Sequence, residues 1–390
     1  MMQDYPHLLF RKHWELSPEV LFELGQCNAI ITAIAEMPLR PSHYRELRQV
    51  ALVKGAQATT AIEGNTLSES EVERIAEGNK LAPSKEYQEI EVRNILEAMN
   101  SLLQEVVYED QEQLVDRDLL LRFHQMVGKN LGEHFDAIPG RLREDQRIVG
   151  PYRCPDHGDV PELVERLCRW LREEFHYESG EQTFVDAVVQ AIVTHVYIEW
   201  IHPFGDGNGR TGRLVEFYIL LRAGLPNIAS HVPSNFYNLT RTEYYRQLGH
   251  ASKTGDLSKF VAYAVRGFRD GLSETLKTIQ FSQFAIAWRS YIHESFADTH
   301  FQKDVLKRRR MLALALPLEG GVTLDEAMTL NPRLAREYAT LSDRTALRDL
   351  QVLEGLELVA REEGFYRANT ATLRMQMPSR RIENHVLARV

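Results

Sequence analysis

The segment His202-Pro-Phe-Gly-Asp-Gly-Asn-Gly-Arg-Thr-Gly-Arg213 constrains this chain more than any other. Glycines at 205, 207 and 209 alternate with other residues. Before them, Val185, Val188, Val189, Ile192 and Val196 repeat at helical spacing over 183–201. After them a second helix is predicted from about Arg210 to Arg222, stopped by Gly224 and Pro226. Glycine accepts positive φ and lets a ligand come close to the backbone. Free N–H groups at such a turn form a concave anion site, and the helix that follows adds positive potential.

The other side chains of the loop suit phosphoryl-type transfer. Arg210 and Arg213 lie one turn apart on one helix face, and arginine grips phosphate through a planar fork of donors. Asp206 offers a hard oxygen ligand for Mg²⁺, which commonly bridges a carboxylate and substrate phosphates. His202 is the one group whose ordinary pKa suits a general base near neutral pH. Asn208 can donate to a phosphoryl oxygen. Other phosphate loops fail on spacing. No Lys-Ser/Thr follows for a GxxxxGK[ST] loop, and Arg210 stands where GxGxxG needs its third glycine. Arg210 and Thr211 likewise break an EF-hand pattern, and the protein-kinase motifs are absent.

At every fixed position the loop resembles the Fic signature, HxFx[DE]GNGRxxR. The resemblance spans roughly residues 50–270. It draws further support from His124, from a flap Gly140…Arg143…Gln146…Gly150, and from Tyr244-Tyr245…Leu248. It implies a mainly α fold: a helical core with a small β-hairpin flap. It implies that ATP donates AMP to a Ser, Thr or Tyr hydroxyl of a target protein, with release of pyrophosphate. Carried onto this chain, His202 deprotonates the hydroxyl, Phe204 anchors the loop and Asp206 holds Mg²⁺. Gly207 and Gly209, with Asn208, line the anion hole, and Gly205 is counted among the nucleotide-binding residues; Arg210 meets the β-phosphate and Arg213 the γ-phosphate. Tyr245 sits near the adenine, and the flap, residues 140–150, aligns the target by strand addition. Ser252 and Lys253 stand where an asparagine often follows the paired tyrosines.

Thr59-xxx-Glu63-Gly64 resembles the inhibitory motif of the same family, [ST]xxxE[GN]. Glu63 is expected to pair with Arg213 and deny it to the γ-phosphate. Alternative readings are removal of AMP from a modified target, transfer of UMP or another phosphoryl group, and a DNA-binding regulator that senses nucleotide.

The rest of the chain supplies context. Three regions are expected: helical residues 1–110 with the inhibitory motif, a catalytic region 111–280, and residues 281–390. In the last, helices near 323–330 and 342–353 precede strands at 356–359 and 365–368, the order of a winged helix-turn-helix. Such a unit is expected either to bind DNA through Arg344 and Arg348 or to dock protein. Net charge of −9 argues weakly against a protein that coats nucleic acid. Three cysteines, far apart, point to a reducing cytoplasm rather than disulfides or zinc. No signal peptide and no run of about 18 apolar residues is read in the sequence. Family habit suggests a homodimer. Thr66–Glu69 reads as a capping box, a hairpin is expected within 139–150, and His195, Trp170, Trp200 and Cys168 read as core.

Overall fold

The computed structural model describes residues 5–175, 183–297 and 299–376. The chain divides into two compact units, Met1–Lys277 and Thr278–Val390. The first is built from α1 (Pro18–Ala35), α2 (Pro41–Ile62), α3 (Glu69–Ala76), α4 (Glu86–Leu103), α5 (Arg117–Gly128), the hairpin β1 (Ile148–Val149) and β2 (Tyr152–Arg153), α6 (Val160–Glu174), α7 (Phe184–Ile201), α8 (Asn208–Arg222), α9 (Val232–Leu239) and α10 (Arg241–Thr254). Next, α11 (Ser258–Ser295) runs across the boundary. The second unit adds α12 (Lys303–Ala315), α13 (Leu324–Thr329), α14 (Pro332–Tyr338), α15 (Asp343–Gly355), the hairpin β3 (Val359–Glu362) and β4 (Phe365–Ala368), and α16 (Thr370–Gln376).

The core of the first unit is the pair α7 and α8. Thr183 caps α7 in a reciprocal box with Asp186. By length and hydropathy α7 could cross a membrane, contrary to the expectation that no such run exists. Its side chains are mostly packed inside this unit, with 78% of that stretch buried, as in a core helix. Every residue of α8 is buried too. Two predicted elements moved. The capping box is Ser68–Glu71, because Ser68 rather than Thr66 holds the extended N-cap conformation. The hairpin lies at 148–153, because Gly150, at φ +56°, turns the chain at Gly150-Pro151. Residues 139–147 are instead held by side-chain bonds described below.

A helix is expected over 161–177; α6 ends at Glu174, and residues 176 and 177 lie outside the described residues. Trp170, Trp200 and Cys168 are buried, and burial pushes the Cys168 thiol up to about 12. None of these groups is poised for chemistry.

In the second unit, helices α12–α15 and the hairpin enclose their own core of Trp288, Leu312, Leu334, Leu350 and Tyr366. The first strand begins at Val359, three residues later than predicted, because Leu356 and Glu357 finish the helix; Glu357 takes φ +59°. Ser342 precedes α15 without capping it through its side chain. The basic run Lys307-Arg-Arg-Arg310 is partly internal. Arg308 Nε and Arg309 Nε both donate to the buried Asp349 at 2.7 Å, and the Tyr338 hydroxyl adds a third bond at 3.1 Å. Arg344 and Arg348 stay exposed on α15. Asp349→Ala strands two cations at a buried site and is expected to lower stability by about 3–5 kcal/mol, read as a fall in the denaturant midpoint of the chain.

Candidate active site

Why α7 stops is local. Pro203 has no N–H and disfavours helical backbone in the residue before it. His202 therefore takes φ +50°, ψ +59°, a left-handed conformation that costs a histidine about 1–2 kcal/mol. Two bonds hold it: its N–H donates to Ile198 O at 2.9 Å, and Arg143 Nε donates to its carbonyl at 2.7 Å. Its Nδ1 lies 3.4 Å from the Glu199 carbonyl, so Nε2 is the basic nitrogen. Burial holds the imidazole below its ordinary pKa, with Glu199 pulling the other way. The ring is thus neutral and ready to accept a proton at neutral pH.

The loop is closed by its own side chains. Asn208 Oδ1 accepts from Phe204 N and its amide donates to Phe204 O, both at 2.9 Å. That use differs from the phosphoryl donor expected of Asn208: the side chain is engaged in closing the loop. Phe204 is fully buried and stacks on His124 at 3.8 Å. Gly207 takes φ +76°, and a Cβ there would meet the Phe135 ring at 2.9 Å. A Cβ on Gly205 would meet Asp136 O at 2.5 Å. On Gly209 it would collide with Glu63, and would lie 2.9 Å from Arg213 Nη1 and 3.0 Å from Glu199 Oε1. The loop glycines therefore let the Phe135–Asp136 segment, Glu63 and Glu199 close in on the N-terminus of α8.

Both arginines already have acidic partners. Arg210 pairs with Glu91 and, at 2.8 Å, with Asp206 Oδ1. Arg213 Nη2 donates to Glu63 Oε1 at 2.6 Å and to Thr59 O at 3.0 Å, while Nε donates to Thr59 Oγ1 at 2.8 Å. Burial opposes the Arg213 charge, but Glu63 and Glu199 outweigh it and raise its pKa. The partners differ in access. The Glu91 side chain is 4% exposed and that of Glu63 is 32% exposed, so Glu63 is the carboxylate a ligand can displace.

Asp206 keeps one oxygen largely available. Oδ1 accepts from Gly207 N at 2.5 Å and from Arg210, whereas among the described residues Oδ2 meets only Asp136 N, at 3.4 Å. Tyr245, on α10, reaches the end of α2, its hydroxyl donating to Ile62 O at 3.1 Å. The flap is fastened by Arg143. Besides His202 O, it donates to Asp145 O and Pro155 O, both at 2.6 Å, and its backbone N–H donates to Pro203 O at 2.9 Å. Ile148 and Val149 remain exposed on β1.

Residues 114–220 match the Fic/DOC family. This chain carries a Fic domain. Over 209 residues it is 32% identical to protein adenylyltransferase fic-1 of Caenorhabditis elegans, an alignment covering 53% of this chain and 38% of that protein. Over 245 residues it is 31% identical to protein adenylyltransferase Fic of Drosophila virilis, covering 62% of this chain and 46% of that protein. The chain thus spans less than half the length of these relatives. In structure it is similar to a Fic family protein from Desulfovibrio desulfuricans, with a TM-score of 0.56 at 23% identity over 92% of this chain and 98% of that one. It is also similar to a fragment of Fic-1 from C. elegans, with a TM-score of 0.57 at 26% identity over 68% and 74%.

The site also contains groups that no local sequence pattern singles out. Glu91 lies 119 positions before its partner Arg210. The Glu199 carboxylate lies 3.9 Å from Arg213 and 3.7 Å from His195. His195 is fully buried between Glu199 and Glu216, whose charges raise its pKa against the cost of burial. Helical spacing places Glu199 beside both His195 and His202, which is the one signal that could have found it.

Proposed function

We propose that this chain is a protein adenylyltransferase whose resting state is held in check by Glu63. One observation carries the reading. Arg213, the last residue of the Fic loop, is already bonded to Thr59 of α2 and to Glu63, which follows it. The names of the relatives, both protein adenylyltransferases, support the chemistry.

In the proposed reaction a hydroxyl oxygen of the target attacks the α-phosphorus of ATP. The bond from that phosphorus to the bridging oxygen of the β-phosphate breaks, and pyrophosphate leaves. His202 Nε2 takes the hydroxyl proton. Backbone N–H groups of the first turn of α8, which have no intrahelical partner, face the phosphates. Arg210 and Arg213 balance the charge on the leaving group. Asp206 fits Mg²⁺, because this ion commonly takes one carboxylate plus phosphate oxygens and water, and Oδ2 is the carboxylate oxygen left. The ion would offset phosphate charge. The exposed β1 edge would receive an extended target segment.

Intact-mass measurement of the Glu63→Gly chain after incubation with Mg²⁺ and each of ATP, GTP, CTP and UTP tests the proposal. A gain of one AMP with ATP is expected. A gain of one phosphate, or of UMP in preference to AMP, would assign a different transfer.

A further inference from the structure

His124 lies on α5, outside the loop, and is fully buried. Its Nε2 is 3.0 Å from the Asp206 carbonyl, and its Nδ1 is 3.0 Å from the Gly140 N–H. A carbonyl can only accept and a backbone N–H can only donate. Nε2 must therefore carry the hydrogen and Nδ1 must be bare. Only one tautomer of the neutral ring makes both bonds. Burial, opposed by the bond to the Asp206 carbonyl, holds the pKa down to about 4, so the ring stays neutral across the physiological range.

The two bonds join separate working parts. Asp206 O belongs to the loop that presents the carboxylate and the anion hole. Gly140 opens the segment that becomes the flap. The ring between them is fixed by stacking on Phe204, with planes 9° apart. Gly140 is held against the same helix: it takes φ +80°, and a Cβ there would approach Gln125 Cβ to 3.2 Å. Apart from His124, the loop and flap are joined mainly through Arg143, at the His202–Pro203 end.

We infer that His124 is a positioning residue that sets the Asp206 end of the loop and the start of the flap relative to one another. It thereby couples nucleotide geometry to acceptor geometry. The inference rests on the adenylyltransferase reading above. If the Glu63→Gly chain takes up no AMP, that reading fails; if it does, the variants below judge His124 alone.

Two substitutions separate the bonds. In His124→Asn the amide oxygen can stand near the place of Nδ1, keeping the acceptor for Gly140 and losing the donor to Asp206. In His124→Gln the amide reaches the place of Nε2, keeping the donor and losing the acceptor. Both are made in the Glu63→Gly chain. ATP affinity in Mg²⁺ is read by calorimetry, and self-modification rate at saturating ATP is read separately. His124→Asn is expected to lose ATP affinity by about tenfold, the scale of one buried hydrogen bond. His124→Gln is expected to keep affinity within about threefold and to lose about tenfold in rate. Equal effects of the two substitutions on both readouts, or no effect, would overturn the inference. Hydrogen exchange of the Gly140 amide in the unaltered protein needs no substitution. Slow exchange supports the bond, and exchange at the rate of an open loop would contradict it.

Discussion

In the Glu63→Gly chain, the further change His202→Ala lowers the rate of AMP transfer by about a hundred- to ten-thousand-fold, the usual contribution of a positioned general base. ATP affinity changes little, because in the proposed reaction the phosphates meet the α8 N-terminus and the arginines rather than His202. The pH profile supplies a second reading. Burial holds the His202 pKa below 6.5, and Glu63 is among the groups that raise it. The base form therefore persists to lower pH than for a free imidazole. The acid limb of the Glu63→Gly rate profile should fall below pH 6.5, and it should vanish from whatever activity His202→Ala retains. Transfer that survives His202→Ala at the parental rate would remove His202 from the chemistry.

Glu63→Gly in the otherwise unaltered chain should raise ATP affinity and self-modification together. Arg213 then loses the Nη2 bond to Glu63 and keeps those to Thr59. A charge-assisted hydrogen bond is worth about 1.5–3 kcal/mol, and 1.4 kcal/mol is a factor of ten. Glu63 is about one-third exposed, which screens the pair and places the expected gain at the low end, about tenfold. A conservative check follows from geometry. Glu63→Asp shortens the side chain by one methylene and should release Arg213 partly, giving an intermediate affinity. Titration with ATP by calorimetry, in the His202→Ala background so that no turnover occurs, measures both variants.

Much of the site could be read in the sequence because the loop's chemistry is local. His202, Asp206, Arg210 and Arg213 sit within twelve residues, and the three glycines mark where neighbours close in. The helices around it were legible from periodicity and stops such as Gly224. What escaped depends on distance in the chain. Glu91 has an ordinary place on an amphipathic helix, and nothing near it in sequence reveals that it faces Arg210. Asn208 looked like a ligand donor, but its amide is four residues from Phe204 and closes the loop on itself. Within the basic run 307–310, Arg308 and Arg309 turn inward to Asp349, a partner far along the chain. In each case a side chain with several possible partners was claimed by the one that folding brought nearest.

Label transfer from ATP tests the central claim most directly. The unaltered protein and Glu63→Gly are each incubated with Mg²⁺ and ATP labelled at either the α- or the γ-phosphorus, and protein-bound label is counted. The account predicts α-label on protein, about tenfold more on Glu63→Gly than on the unaltered chain, and no γ-label on either. Protein-bound γ-label, or equal α-label on the two chains, would contradict it.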